Sequence, residues 1–104
     1  EFIFNINEPI ISVVTRIELS IFPNYTLEKE KVLTEYINYC KILDFNEEVI
    51  LMIIQLRKKY KIRDFDSIIA ATALVYDLPL ITNDSGFLNI KNLKVINPYS
   101  FDFV

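Results

Sequence analysis

The 104-residue sequence predicts a single α/β domain, residues 1–104, built on a parallel sheet. Short β-branched apolar runs alternate with amphipathic stretches of helical period, with no linker, repeat or low-complexity segment between them. One stretch, 64–76, is apolar nearly all round through Ile68, Ile69, Ala70, Ala71, Ala73, Leu74 and Val75. Such a helix belongs inside a fold, and its small alanines let it lie close against a sheet.

The elements follow in order. Residues 10–14 are β-branched and follow Pro9, which reads as a buried strand; 16–22 then reads as a short helix stopped by Pro23. Thr26 is placed to cap a helix running to Tyr39 or Cys40, with Leu27, Val32, Leu33, Tyr36 and Ile37 on its apolar side. Residues 42–45 read as a short strand. Asn46 caps the next helix, which has Glu47 and Glu48 in its first turn and Arg57, Lys58 and Lys59 in its last, an order that favours the helix dipole at both ends. Asp64 reads as the N-cap of the apolar helix. Residues 79–81 and 93–96 supply further strands, and Asn83-Asp84-Ser85-Gly86 is a turn by composition.

Composition excludes several chemistries. There is no histidine, which removes Ser-His-Asp catalysis and the usual zinc sites. Gly86 is the only glycine, so neither a P-loop nor a dinucleotide fingerprint is present. Carboxylates, hydroxyls, Lys and Arg remain, an inventory suited to hard oxygen-ligated cations such as Mg2+ or Mn2+. Cys40, the single cysteine, cannot form an internal disulfide and reads as a buried structural thiol, which fits a reducing cytoplasm. The longest apolar run, 49–54, is far too short to span a bilayer, so no membrane partner is expected.

The formal net charge of −3 is the wrong sign for binding nucleic acid through one broad basic face. A site that gathers carboxylates for metals is itself acidic, and bound ions reverse its sign. Arg57, Lys58, Lys59, Lys61 and Arg63 form a local basic run. It reads first as a solvated helix C-terminus whose cations complement the macrodipole, and second as a path for RNA phosphates next to a metal site.

Glu18 after the first strand, Asp66 opening the apolar helix and Asp84 after the 79–81 strand come from separate strand and helix junctions, which parallel strands bring to one edge. Converging carboxylates repel one another unless a cation sits among them, and divalent ions there can activate water for in-line phosphoryl displacement. Thr15 and Thr82 lie beside the acids and can orient that water or a carboxylate. Each acid also has an ordinary reading: Glu18 and Asp66 as early helix acids, Asp84 as an Asx-turn. Asp64 is at most an outer support for the site, and Asp44 and Asp77 read as surface or turn residues.

Ile11-Ser12-Val13-Val14-Thr15-Arg16-Ile17-Glu18-Leu19 resembles the second-strand motif of PIN-domain proteins, in which a Ser/Thr-rich strand leads to a Glu followed by Leu. Asp66-Ser67-Ile68-Ile69-Ala70-Ala71-Thr72-Ala73 resembles that family's helix opening on its central Asp. Leu80-Ile81-Thr82-Asn83-Asp84 with Phe87 is similar to its Thr-Asn-Asp-x-x-Phe stretch, and Leu93-Lys94-Val95-Ile96-Asn97-Pro98 to its final strand. The match runs in order over 10–98 and is nearest to VapC-like toxins. It implies a three-layer α/β/α Rossmann-like fold and an endoribonuclease using Mg2+ or Mn2+. It also implies a homodimer and a VapB-like antitoxin. Glu18, Asp66 and Asp84 become the metal-binding and catalytic acids, with Thr82 as the hydroxyl helper.

One departure matters. The family's first strand ends in an Asp and is followed by helices, whereas this sequence starts about ten residues ahead of the second strand. Asn5-Ile6-Asn7 is only a faint match to that motif, and the expectation is a native N-terminal piece beyond this chain. That strand is central in the family's sheet. Its neighbours would lose their partner unless residues 1–6, a swapped copy or a separate N-terminal fragment filled the gap. The alternative to a nuclease is a non-catalytic PIN-like binding module lacking the first acid, with Tyr99, Phe101 and Phe103 as an aromatic tail. A receiver-like phosphoryl-transfer domain shares the acidic edge but lacks an acidic pair directly after one strand.

Overall fold

A computed structural model describes residues 2–3, 9–21 and 26–99. Its strands are β1 (Phe2–Ile3), β2 (Ile10–Ile11), β3 (Lys41–Ile42), β4 (Leu80–Ile81) and β5 (Val95–Ile96). Its helices are α1 (Val13–Ser20), α2 (Leu27–Tyr39), α3 (Glu47–Lys59) and α4 (Asp64–Val75), with a 3-10 turn at Ser85–Phe87. The sheet order is β3-β2-β1-β4-β5. β2 pairs parallel with β3, Ile10 opposite Lys41, and β4 parallel with β5, Leu80 opposite Val95. The connections β2-α1-α2-β3 and β3-α3-α4-β4 step in opposite directions along the sheet. Right-handed crossovers therefore place the two helix pairs on opposite faces, giving the three-layer α/β/α arrangement.

The sheet is not wholly parallel. β1 lies between β2 and β4 and runs antiparallel to both, with Ile3 opposite Ile10 and Leu80. Chain length explains the reversal. A parallel return takes a crossover of about a dozen residues or more, and far fewer separate Ile3 from Ile10. Phe2–Ile3 thus fills the central position that the sequence reading leaves open. The possible Asn5-Ile6-Asn7 motif, the predicted helix stop at Phe22 and Pro23, and Phe101 and Phe103 lie outside the described residues.

Local chemistry shifts several predicted boundaries. The first strand stops at Ile11 because the Ser12 hydroxyl accepts the Thr15 N–H at 3.1 Å and so caps α1. Val13 and Val14 consequently enter a helix despite their β preference, which tertiary context routinely overrides. The predicted 42–45 strand is the shorter β3. Lys41 N–H donates to the Pro9 carbonyl and Leu43 N–H to that of Ile11, and Asp44 and Phe45 are exposed. Thr26 and Asn46 cap α2 and α3 as expected, accepting from the N–H groups of Lys29 and Val49. Asp64, by contrast, is not an N-cap. Arg63 holds the extended cap conformation, at φ −66° and ψ 154°, and Asp64 is already helical and paired with Arg57 on α3.

The core gathers Ile10, Val14, Leu43, Val49, Leu56, Ile69, Leu80, Phe87 and Ile90 around Ala70, Ala71 and Ala73. The alanines let α4 pack closely on α3, the most extensive helix contact among the described residues. The Tyr76 hydroxyl ties the far ends of these helices: it donates to the Asp44 carbonyl and accepts from the Asn46 side-chain amide. α4 ends in a Schellman motif, Leu78 N–H donating to the Ala73 carbonyl and Asp77 N–H to that of Leu74. Asp77 takes the left-handed position, φ 51°, that glycine usually holds. Cys40 is buried at the end of α2; burial pushes its thiol pKa up, with a Tyr36 hydrogen bond acting the other way, so it stays a protonated packing residue at neutral pH. No helix is long and apolar enough to cross a membrane among the described residues.

Asn46→Ala removes both the α3 cap and the Tyr76 contact and is expected to lower unfolding free energy by about 1–2 kcal/mol in urea denaturation. Asp77→Gly relieves the left-handed backbone and is expected to raise it by about 0.5–1 kcal/mol, while Asp77→Val lowers it by more than that.

Candidate functional site

The sheet changes direction at its centre: β2 continues outward to β3 and β4 outward to β5. In open α/β sheets a crevice forms at the carboxyl ends of the strands flanking such a switch point. α1 leaves the carboxyl end of β2, and the Thr82–Asp84 segment leaves that of β4. α4 runs back into β4, so its N-terminus opens at the same edge. Glu18, Asp66 and Asp84 sit on those segments.

One side chain connects two of the acids. Arg63 Nη2 lies 2.7 Å from Asp66 Oδ2 and 3.0 Å from Asp84 Oδ2, and Arg63 Nε donates to the same Asp66 oxygen at 2.8 Å. Asp66 is 14% exposed, Asp84 33% and Arg63 75%. Glu18 is exposed and lines, with Arg63, Asp64, Phe65 and Asp66, an open cleft of about 580 Å³. The structure therefore brings Asp66 and Asp84 onto one cationic nitrogen and Glu18 into the same cleft as Asp66.

The hydroxyls anchor backbone. Thr82 is buried and its Oγ1 accepts the Asp84 N–H at 3.1 Å, while Asp84 Oδ1 accepts the Gly86 N–H at 2.8 Å. Asp84 thus makes the Asx-turn foreseen as its ordinary role and still holds Oδ2 against Arg63. A Cβ at residue 86 would fall 3.1 Å from Asp84 Oδ1, so the glycine keeps room for that turn. Thr15 is buried with its Oγ1 3.1 Å from Ser12 Oγ, one turn before Glu18.

The basic run is divided. Arg57 is held by Asp64, Lys59 lies over the Tyr60 ring at 5.5 Å, Arg63 grips the two acids, and Lys58 and Lys61 are exposed. Sequence reasoning grouped Arg63 with the other cations and missed its part in the acidic pair. The visible signal was its spacing, three residues before Asp66 across a helix start. It also passed over Phe65, which is 53% exposed at the cleft, whereas Ser67 and Ile69 to Ala73 farther along α4 are buried.

The donor set fits a hard divalent ion by its chemistry, since every acid at the edge offers carboxylate oxygen. Two of those oxygens already share one positive nitrogen, the charge pattern such an ion requires. Among the described residues no three acids stand close enough together to form a metal cluster.

Comparison with known proteins agrees with this architecture. No curated protein sequence matches the chain. A chain of a toxin-antitoxin complex from Klebsiella pneumoniae is similar in structure, with a TM-score of 0.73 and 27% identity over 88% of this chain and 74% of that one. A chain of VapBC2 from Rickettsia felis, solved bound to a DNA fragment from its promoter, gives a TM-score of 0.73 and 25% identity over 85% and 73%. The PIN domain family model matches residues 1–93, nearly the whole span that carries the sheet and the acidic edge, and the chain belongs to the PIN domain family.

Proposed function

We propose that this chain is the VapC-like toxin of a toxin-antitoxin pair, an endoribonuclease that hydrolyses RNA phosphodiesters with Mg2+ or Mn2+. The observation that carries the reading is the convergence of Asp66 Oδ2 and Asp84 Oδ2 on one cation at the switch point of a PIN-domain sheet. A bound divalent ion supplies an activated water and neutralises charge on the phosphate.

The chain's own residues do the rest. Asp66 and Asp84 would hold the ion from α4 and from the β4 loop, and Glu18, which lines the same cleft as Asp66, would add a carboxylate. Thr82 fixes the backbone that carries Asp84, and Ser12 with Thr15 fixes the start of the helix that carries Glu18. Asp64, held by Arg57, supports the opening turn of α4. Lys58 and Lys61, with Arg57, Lys59 and Arg63, draw the RNA backbone toward an otherwise acidic edge. Phe65 offers an aromatic face on which a base can stack.

The two similar structures are toxin-antitoxin complexes, which supports a VapB-like antitoxin partner. Ile21, Leu27 and Val32 are 71%, 85% and 65% exposed and give α1 and α2 an apolar surface suited to the antitoxin or to a second copy of this chain. The reading as a non-catalytic binding module is favoured by the lack of a three-acid cluster among the described residues. Cleavage assays separate the two.

With RNA and Mn2+, Asp66→Asn and Asp84→Asn are each expected to reduce cleavage by about 10²-fold or more with circular dichroism unchanged. Full cleavage by both variants would refute the site, and none by the parent chain at any Mn2+ concentration would favour the binding module. Phe65→Ala is expected to weaken single-stranded RNA binding by about tenfold, with Phe65→Trp retaining it, as fluorescence anisotropy would show.

A further inference from the structure

We propose that Arg63 is the resident counter-ion of the acidic pair and that a divalent cation loads the site only by displacing it. The inference rests on the metal-site reading above and adds a positioning residue to it. Arg63 is the N-cap of α4, so its backbone is fixed at the edge beside both acids. Its Nη2 touches Asp66 Oδ2 and Asp84 Oδ2 together, and Nε doubles the contact to Asp66. An ion that binds these two oxygens and a guanidinium that bridges them exclude each other, because both need the same lone pairs and the two cations repel.

The two acids are unequally hidden. Asp66 is 14% exposed and loses much of its hydration, so it depends on a counter-charge more than Asp84 does. Arg63 is 75% exposed, so its guanidinium can swing into water when a stronger cation arrives. Arginine has no neutral form at accessible pH, so while the two carboxylates stay ionised a change of pH cannot vacate the site. Only competition by charge does so, and the apparent metal affinity is reduced by the fraction of molecules in which Arg63 is bound. Arg57 provides an internal contrast: it is equally cationic, but its partner is Asp64.

The test is calorimetric titration of the full chain with MnCl2, comparing the parent with Arg63→Met, Arg57→Met and Asp66→Asn, each first shown folded by circular dichroism. Arg63→Met is expected to bind Mn2+ about tenfold more tightly than the parent, Arg57→Met within about twofold of it, and Asp66→Asn much more weakly. Arg63→Lys, which keeps the charge but not the two-acid fork, is expected to fall between the parent and Arg63→Met. If Arg63→Met binds no more tightly than the parent while Asp66→Asn still loses binding, the metal site stands and the displacement model falls. An equal gain in Arg57→Met would reduce the effect to general charge and overturn direct occupancy. Absence of Mn2+ binding in both the parent and Arg63→Met would overturn the metal site and the displacement model together.

Discussion

Close burial of α4 organises this molecule. Ser67, Ile69, Ala70, Ala71, Thr72 and Ala73 are all buried, and the small side chains of all but Ile69 let the helix backbone approach α3 and the sheet. Larger residues at Ala70 or Ala71, both fully buried, would force the layers apart. The polar members satisfy themselves locally: Ser67 donates to the Asp64 carbonyl and Thr72 to that of Ile68. Because α4 is held along its length, its first turn has a fixed place at the carboxyl edge of the sheet, and Asp66 is carried there with it.

That edge poses an electrostatic problem that a packed core cannot solve. Asp66 and Asp84 approach from different segments and would repel if left alone. Arg63 relieves the repulsion from within the chain, while Arg57 pairs with Asp64, two residues before Asp66. These contacts are largely exposed and add little to global stability. Their consequence is local: they hold Asp66 and Asp84 together at the edge.

The centre of the sheet shows a second economy. β2 and β4 each present backbone groups to the position between them, and Phe2–Ile3 pairs with both. An antiparallel strand satisfies those N–H and C=O groups as a parallel one would. It does so by backbone alone, and the acids of the described site all come from elements outside it.

Much of this was legible in the sequence. Thr26 and Asn46 announce α2 and α3 because capping is a local contest between one side chain and the first free N–H groups. The apolar girdle of 68–75 announces a buried helix, and the order of Glu18, Asp66 and Asp84 announces an acidic edge. The end of β2 at Ser12, ahead of the β-branched Val13 and Val14, and the cap of α4 at Arg63 rather than Asp64 are local outcomes that strand propensity and residue type did not announce. Tertiary structure alone decided the direction of β1 and the bridging of Asp66 and Asp84 by Arg63. Local propensity and periodicity depend on neighbours a few residues away. Strand direction and charge pairing depend on which segments meet in space, and Arg63 and Asp84 meet only after a buried helix and a strand have brought the chain back to the same edge.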